Sequence, residues 1–122
     1  MPSRQRVEQL IQMVERGEFV EALREFYAED ASTRENSEEP SKGLANLIER
    51  ERMALAAFRI RTLPTTAFLV DGDRSVIHWT FEFTDARGRS MRFEELASQL
   101  WRGERIVEER FHYDPAQRGR WT

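Results

Sequence analysis

The spacing of apolar residues changes period once along the chain, near Phe58, and that change restricts the fold more than any motif. Before it, apolar side chains recur at intervals of three and four: Val7, Leu10, Ile11 and Val14, then Phe19, Ala22, Leu23 and Phe26, then Leu44, Leu47, Ile48 and Leu55. This spacing gathers them on one side of a helix. It predicts helices over 4–16, 18–27 and 42–57, with Gly17 ending the first. After Phe58 the alternation has a period of two, as in Ile77, Trp79, Phe81 and Phe83, which is the pattern of a strand. Strands are expected over 58–70 (interrupted at Pro64), 75–84, 91–101 and 106–113. Asp71-Gly72-Asp73, Asp85-Ala86-Arg87-Gly88 and Arg102-Gly103-Glu104 supply the turns. A short strand is read over 30–36, followed by a loop at 37–41. The tail 115–122 is polar and expected to lack regular structure.

Helices first and strands afterwards argue for an α+β fold rather than alternating βαβ units. The strands form an antiparallel meander that must bury one face against the three helices. The 122 residues suit one domain, 1–122. Without cysteine the chain holds no disulfide scaffold, thiolate zinc site or cysteine nucleophile. Two histidines, His78 and His112, leave little for a histidine-rich metal site. No apolar run approaches the roughly 20 residues of a membrane span, and the first residues lack the apolar core of a secretory signal. The expectation is therefore a cytoplasmic protein away from membranes. Of its 19 basic residues all but Lys42 are arginine, yet 22 acids outnumber them and no basic stripe appears. Nucleic acid is not an expected partner.

Tyr27-Ala28-Glu29-Asp30-Ala31, just after a helix and leading into a short strand, resembles the lead-in to the first strand of the nuclear transport factor 2-like superfamily. The run Trp101-Arg102-Gly103-Glu104-Arg105-Ile106-Val107-Glu108-Glu109-Arg110-Phe111-His112-Tyr113-Asp114-Pro115 resembles its last hairpin. The likeness is nearest to the SnoaL-like branch and spans about residues 5 to 114. It implies a cone, in which a curved antiparallel sheet wraps three helices around an internal pocket. The superfamily holds ketosteroid isomerase, polyketide cyclases, dehydratases and epoxide hydrolases as well as binding proteins, so the fold does not name a reaction.

Candidate site residues are ionisable groups on faces that should be buried, where an unpaired charge costs several kcal/mol. Glu51 falls within the apolar stripe of the third helix, either pointing into the cone or pairing with an arginine at the helix edge. On 91–101, Met91, Phe93, Glu95, Ala97, Gln99 and Trp101 share the face expected inside. The opposite face then exposes Leu96 and Leu100, as a homodimer formed through the outer sheet face would use. On the last strand Val107, Glu109, Phe111 and Tyr113 share a face. Glu109 either lines the pocket or is a structural carboxylate bonded to an arginine or to Tyr27. Parity turns Trp79 inward and His78 and Glu82 outward.

By resemblance to ketosteroid isomerase, Glu35 matches the general-base position, and Glu94 or Glu95 lies near that of a protonated acid in the oxyanion hole. The first helix has no tyrosine to match the family's oxyanion tyrosine. The expected site has Glu95, Glu109 and Glu35 as catalytic residues. Its ligand contacts are Tyr27, Asn36, Glu51, Trp79, Phe93, Gln99, Phe111 and Tyr113. No metal or cofactor is expected. Two functions follow: a cofactor-free isomerase, cyclase or dehydratase acting on a small apolar molecule through glutamate acid–base chemistry, or a non-catalytic ligand-binding or dimeric assembly module. Epoxide hydrolysis lacks the Asp-Arg-Asp grouping it would require.

Overall fold

The protein is described by a computed structural model covering residues 1–65 and 67–122. Three helices precede most of the sheet: α1 (Arg4–Glu15), α2 (Phe19–Phe26) and α3 (Leu44–Ala57). Ser3 caps α1, its Oγ accepting from the Arg6 amide at 3.0 Å. Gly17, at φ 80°, makes the left-handed turn into α2 that a side chain would resist. The strands are β1 (Tyr27–Glu35), β2 (Ser41–Lys42), β3 (Arg59–Thr62), β4 (Phe68–Asp71), β5 (Arg74–Thr84), β6 (Ser90–Arg102) and β7 (Arg105–His112). They form one curved, unclosed sheet in the order β2-β1-β7-β6-β5-β3, with β4 also on β5.

The α+β class and the helix positions agree with the sequence reading, and β5, β6 and β7 form the expected meander. Several details differ, among them the two-residue strand β2 (Ser41–Lys42), where a loop ending at 41 and a helix from 42 were expected. The sheet is mixed, because β1 runs parallel to β7. No hairpin constrains that pair: α3 and the rest of the meander separate them, so either direction was open. Pro64 divides the strand expected over 58–70 into β3 and β4, both antiparallel to β5; Thr66 within it lies outside the described residues. The tail is also ordered, with a 3-10 helix over Pro115–Gly119 capped by the Asp114 carboxylate.

The helices bury Val7, Leu10, Ile11, Val14, Ala22, Phe26 and Leu47 against the concave face of the sheet. From the sheet come Ile77, Trp79, Ala97, Trp101 and Ile106. Alternation fails at one place. A register shift between Leu100 and Trp101 on β6 places Ile106 opposite Trp101. Ile106, fully buried, thus takes the core position that strict parity assigns to Val107. Beyond the bulge Glu109 and Phe111 point inward as parity requires.

Candidate active site: a cavity with carboxyls at both ends

Between the helices and the concave face lies a cavity of about 540 Å³. Its walls are mainly apolar, with Trp79, Phe81, Phe83 and Phe93 from β5 and β6 and Phe58 from the end of α3. The rings meet edge to face or stacked, Trp79 on Phe81 at 5.9 Å and Phe83 on Phe93 at 6.0 Å between centroids. Four carboxyl side chains line it: Glu35 from β1, Glu51 from α3, Glu95 from β6 and Glu109 from β7.

Sheet register builds the buried end. Ser75, Gln99 and Glu109 are direct partners across β5, β6 and β7, so their side chains form one row on the concave face. The Trp101 indole N–H donates to Ser75 Oγ at 2.8 Å. Ser75 in turn donates to Gln99 Oε1 at 2.5 Å, and Gln99 Nε2 donates to Glu109 Oε2 at 2.6 Å. The Tyr27 hydroxyl donates to Glu109 Oε1. An indole nitrogen can only donate, so Trp101 occupies one acceptor site of Ser75 Oγ. Ser75 passes its proton toward Gln99, the amide shows its oxygen to Ser75, and its N–H group faces Glu109. The row therefore presents donors to a carboxylate that is only 5% exposed. Burial still dominates and pushes the Glu109 carboxyl up to about 7, against the pull of Gln99 and Tyr27. Burial, with the adjacent Glu109 charge, holds the Tyr27 hydroxyl well above its ordinary value.

Glu95 lies across the strand pair from Trp79. Among the described residues none hydrogen-bonds or ion-pairs with its carboxyl. Burial, then the charges of Glu109, Glu35 and Glu51, push it up to about 8, with only Arg118 opposing. Glu51 is raised by burial alone. Both Glu95 and Glu109 therefore hold protons within reach of neutral pH, as chemistry at that pH needs.

The other end is built differently. Glu35 Oε1 accepts from the Tyr113 hydroxyl at 2.8 Å and from Arg118 at 3.0 Å, and Arg50 stands 3.8 Å from Oε2. Arg118 also reaches the Tyr113 hydroxyl. The C-terminal segment is fastened over this end. Gln117 bonds the backbone of Glu94 in both directions, Thr122 exchanges backbone hydrogen bonds with Ser90, and Trp121 stacks on Phe58 at 5.8 Å.

Of the residues named from sequence, Tyr27, Glu35, Glu51, Trp79, Phe93, Glu95, Glu109 and Phe111 line the cavity. Three do not. Gln99 is 1% exposed and stands behind Glu109, which shields it. Tyr113 contributes its hydroxyl to Glu35 and its ring to Phe93 at 4.7 Å. Asn36, in left-handed conformation at φ 51°, turns the chain off β1, and its Oδ1 accepts from the Tyr113 amide. Sequence reasoning missed Arg50, Arg118 and Trp121 on the wall. Trp121 gave one usable signal, a large aromatic alone in a polar tail. His78 points away, its Nε2 2.5 Å from Glu94. Among the described residues no three acidic or histidine side chains are grouped to hold a metal ion. None of the described helices is long and apolar enough to cross a membrane.

Comparison with known proteins agrees with this architecture. No curated protein matches the chain in sequence. Among solved structures, a candidate SnoaL-like polyketide cyclase from Mesorhizobium loti superposes with a TM-score of 0.81 at 20% identity, covering 93% of this chain and all of the other. TerC, crystallised with polyporic acid, gives 0.79 at 15% identity, covering 94% of this chain and 93% of its own. An LEH-like epoxide hydrolase from Mycobacterium tuberculosis gives 0.76 at 12% identity, covering 93% and 83%. At these identities the likeness is one of fold. The model of the SnoaL-like polyketide cyclase family matches residues 4–120, nearly the whole sequence, and the chain belongs to that family.

Proposed function

We propose that the protein binds a small, mostly apolar carbonyl compound in the cavity and moves a proton on it, with Glu95 and Glu109 as a cofactor-free acid–base pair. One observation carries the reading. Glu95 faces an apolar wall with no hydrogen bond or ion pair from any described residue, in a cavity it shares with a Glu109 whose oxygens both accept one. An unpaired carboxyl in such a place costs stability, and no structural contact accounts for it.

The two carboxyls divide the work by environment. Glu109, with donors at both oxygens and the lower of the two pKa values, acts as base. Glu95, protonated at neutral pH, donates to the carbonyl oxygen. A carbon–hydrogen bond next to the carbonyl breaks, the proton passes to Glu109, and the electron pair moves onto the oxygen that Glu95 holds. Return of the proton to another carbon isomerises the compound. Attack of the enolate carbon on a second carbonyl of the same molecule closes a ring. A second copy of the chain is expected on the outer sheet face, where Leu96 is 46% exposed, and the expected location remains the cytoplasm.

Deuterium exchange tests the chemistry: 2-tetralone is incubated with the protein in heavy water and label at its α-carbon is followed by mass spectrometry. Wild-type protein should accelerate exchange, and Glu95→Gln and Glu109→Gln should each slow it by about 100-fold or more. Equal exchange by wild type and the double variant would leave only a binding role.

A further inference from the structure

We infer that the cavity takes an amphipathic acid, with its apolar body against the aromatic wall and an outward carboxylate held by Arg50 and Arg118. This specifies the ligand class for the site proposed above and rests on that reading. Arg50 and Arg118 both line the cavity, and both are more than half exposed, at 57% and 52%. Among the described residues Glu35 is the one carboxylate that either of them ion-pairs with, so two guanidinium groups share it. Their donors are mostly unspent. Arg50 makes no hydrogen bond to any described residue and stands off Glu35 at 3.8 Å. Arg118 spends one nitrogen on Glu35 and Tyr113, leaving its other N–H groups available. A guanidinium offers five N–H donors in a plane that matches a carboxylate.

The rest of the cavity supplies the orientation. Glu51, Glu95 and Glu109 are carboxyls of the same cavity whose pKa values burial raises, and there a ligand carboxylate would meet acids instead of cations. An apolar molecule with one acidic group therefore has a single favourable direction of entry, apolar end first. Its carbonyl then arrives near Glu95 and its carboxylate stays at the arginines.

A matched pair of ligands separates this inference from the reading beneath it. 1-Naphthaleneacetic acid and its neutral amide share one ring system and differ in charge; both are titrated calorimetrically at pH 7 in low salt. The acid should bind about fivefold more tightly than the amide. That preference should shrink in 0.5 M salt and should largely disappear in Arg50→Gln. Arg50→Gln removes no hydrogen bond to any described residue, and its amide affinity should match wild type, which serves as the folding control. Equal affinity for acid and amide in wild type, or a preference that survives Arg50→Gln combined with Arg118→Gln, overturns the inference and leaves the cavity reading standing. Failure of both ligands to bind counts against both.

Discussion

Glu35 and Glu95 are the same residue type on the same concave surface, yet their surroundings are opposite. Glu35 accepts hydrogen bonds from Tyr113 and Arg118 and has Arg50 beyond them. Glu95 has no such partner among the described residues and sits among three other carboxyls whose charges oppose its ionisation. The first is a carboxylate held between two arginines at the more exposed end, the second an unpaired carboxyl in an apolar wall. Glu109 stands between the two cases: it is buried and hydrogen-bonded but not charge-paired, and its proton leaves near neutrality. Carboxyl count alone therefore says little about this cavity, and the identity of each carboxyl's neighbours says most.

The contrast breaks first in activity. Glu95→Gln and Glu109→Gln should lower turnover by about 100- to 10,000-fold, while Glu35→Gln, outside the proton transfer, should cost less than about tenfold. Exchange rates at saturating ketone measure this. Similar losses in all three would erase the distinction between the two ends.

Stability against pH sharpens the comparison next. The folded-state value of Glu95, about 8, lies above its ordinary 4.5. The folded protein thus holds a proton that the unfolded chain releases, and stability falls as pH rises from about 4.5 through 8. Glu95→Gln removes that loss. It should stabilise the protein by about 4–5 kcal/mol at pH 8.5 and hardly at all at pH 4.5, as urea unfolding at the two pH values reads. A gain of equal size at both would point to packing instead of charge.

A smaller effect probes the polar row. Trp101→Phe keeps a ring in the core but deletes the N–H that anchors Ser75 Oγ. It should cost about 1–2 kcal/mol. With Ser75 no longer anchored, Gln99 holds the Glu109 carboxylate less firmly, and the lower midpoint of the pH–rate profile should move upward. An unmoved midpoint would make the row purely structural. Smallest is Trp121→Ala, which removes the stacking on Phe58 and should cost about 1 kcal/mol in thermal unfolding while leaving the floor carboxyls in place.

The sequence exposed the floor better than the rim, for a physical reason. Alternation along β6 and β7 is enforced by burial of one face, so Trp79, Phe93, Glu95 and Glu109 could be placed by parity alone. The same logic puts Gln99 on the inner face but cannot say that Glu109 stands in front of it. It also fails at Val107, because a bulge shifts the phase and local sequence does not announce it. The rim depends on chain segments distant in sequence. Arg50 comes from α3 and Arg118 from the tail, and both meet Glu35 at the end of β1. A polar tail with no periodicity gives no sign that Gln117 and Thr122 will fasten it to β6. The parallel pairing of β1 with β7 was hidden for the same reason, since pattern records which face a residue takes and not which strand lies beside it.

The acid–base chemistry requires that Glu95 and Glu109 keep their protons to near-neutral pH. Carbon-13 NMR of protein labelled at the glutamate carboxyls, titrated from pH 3 to 9 in wild type, Glu95→Gln and Glu109→Gln, reads it directly. Two resonances should titrate near 7 and 8, and each variant should remove one of them. If every glutamate resonance in the wild type titrates below about pH 5.5, the acid–base account of the cavity is wrong.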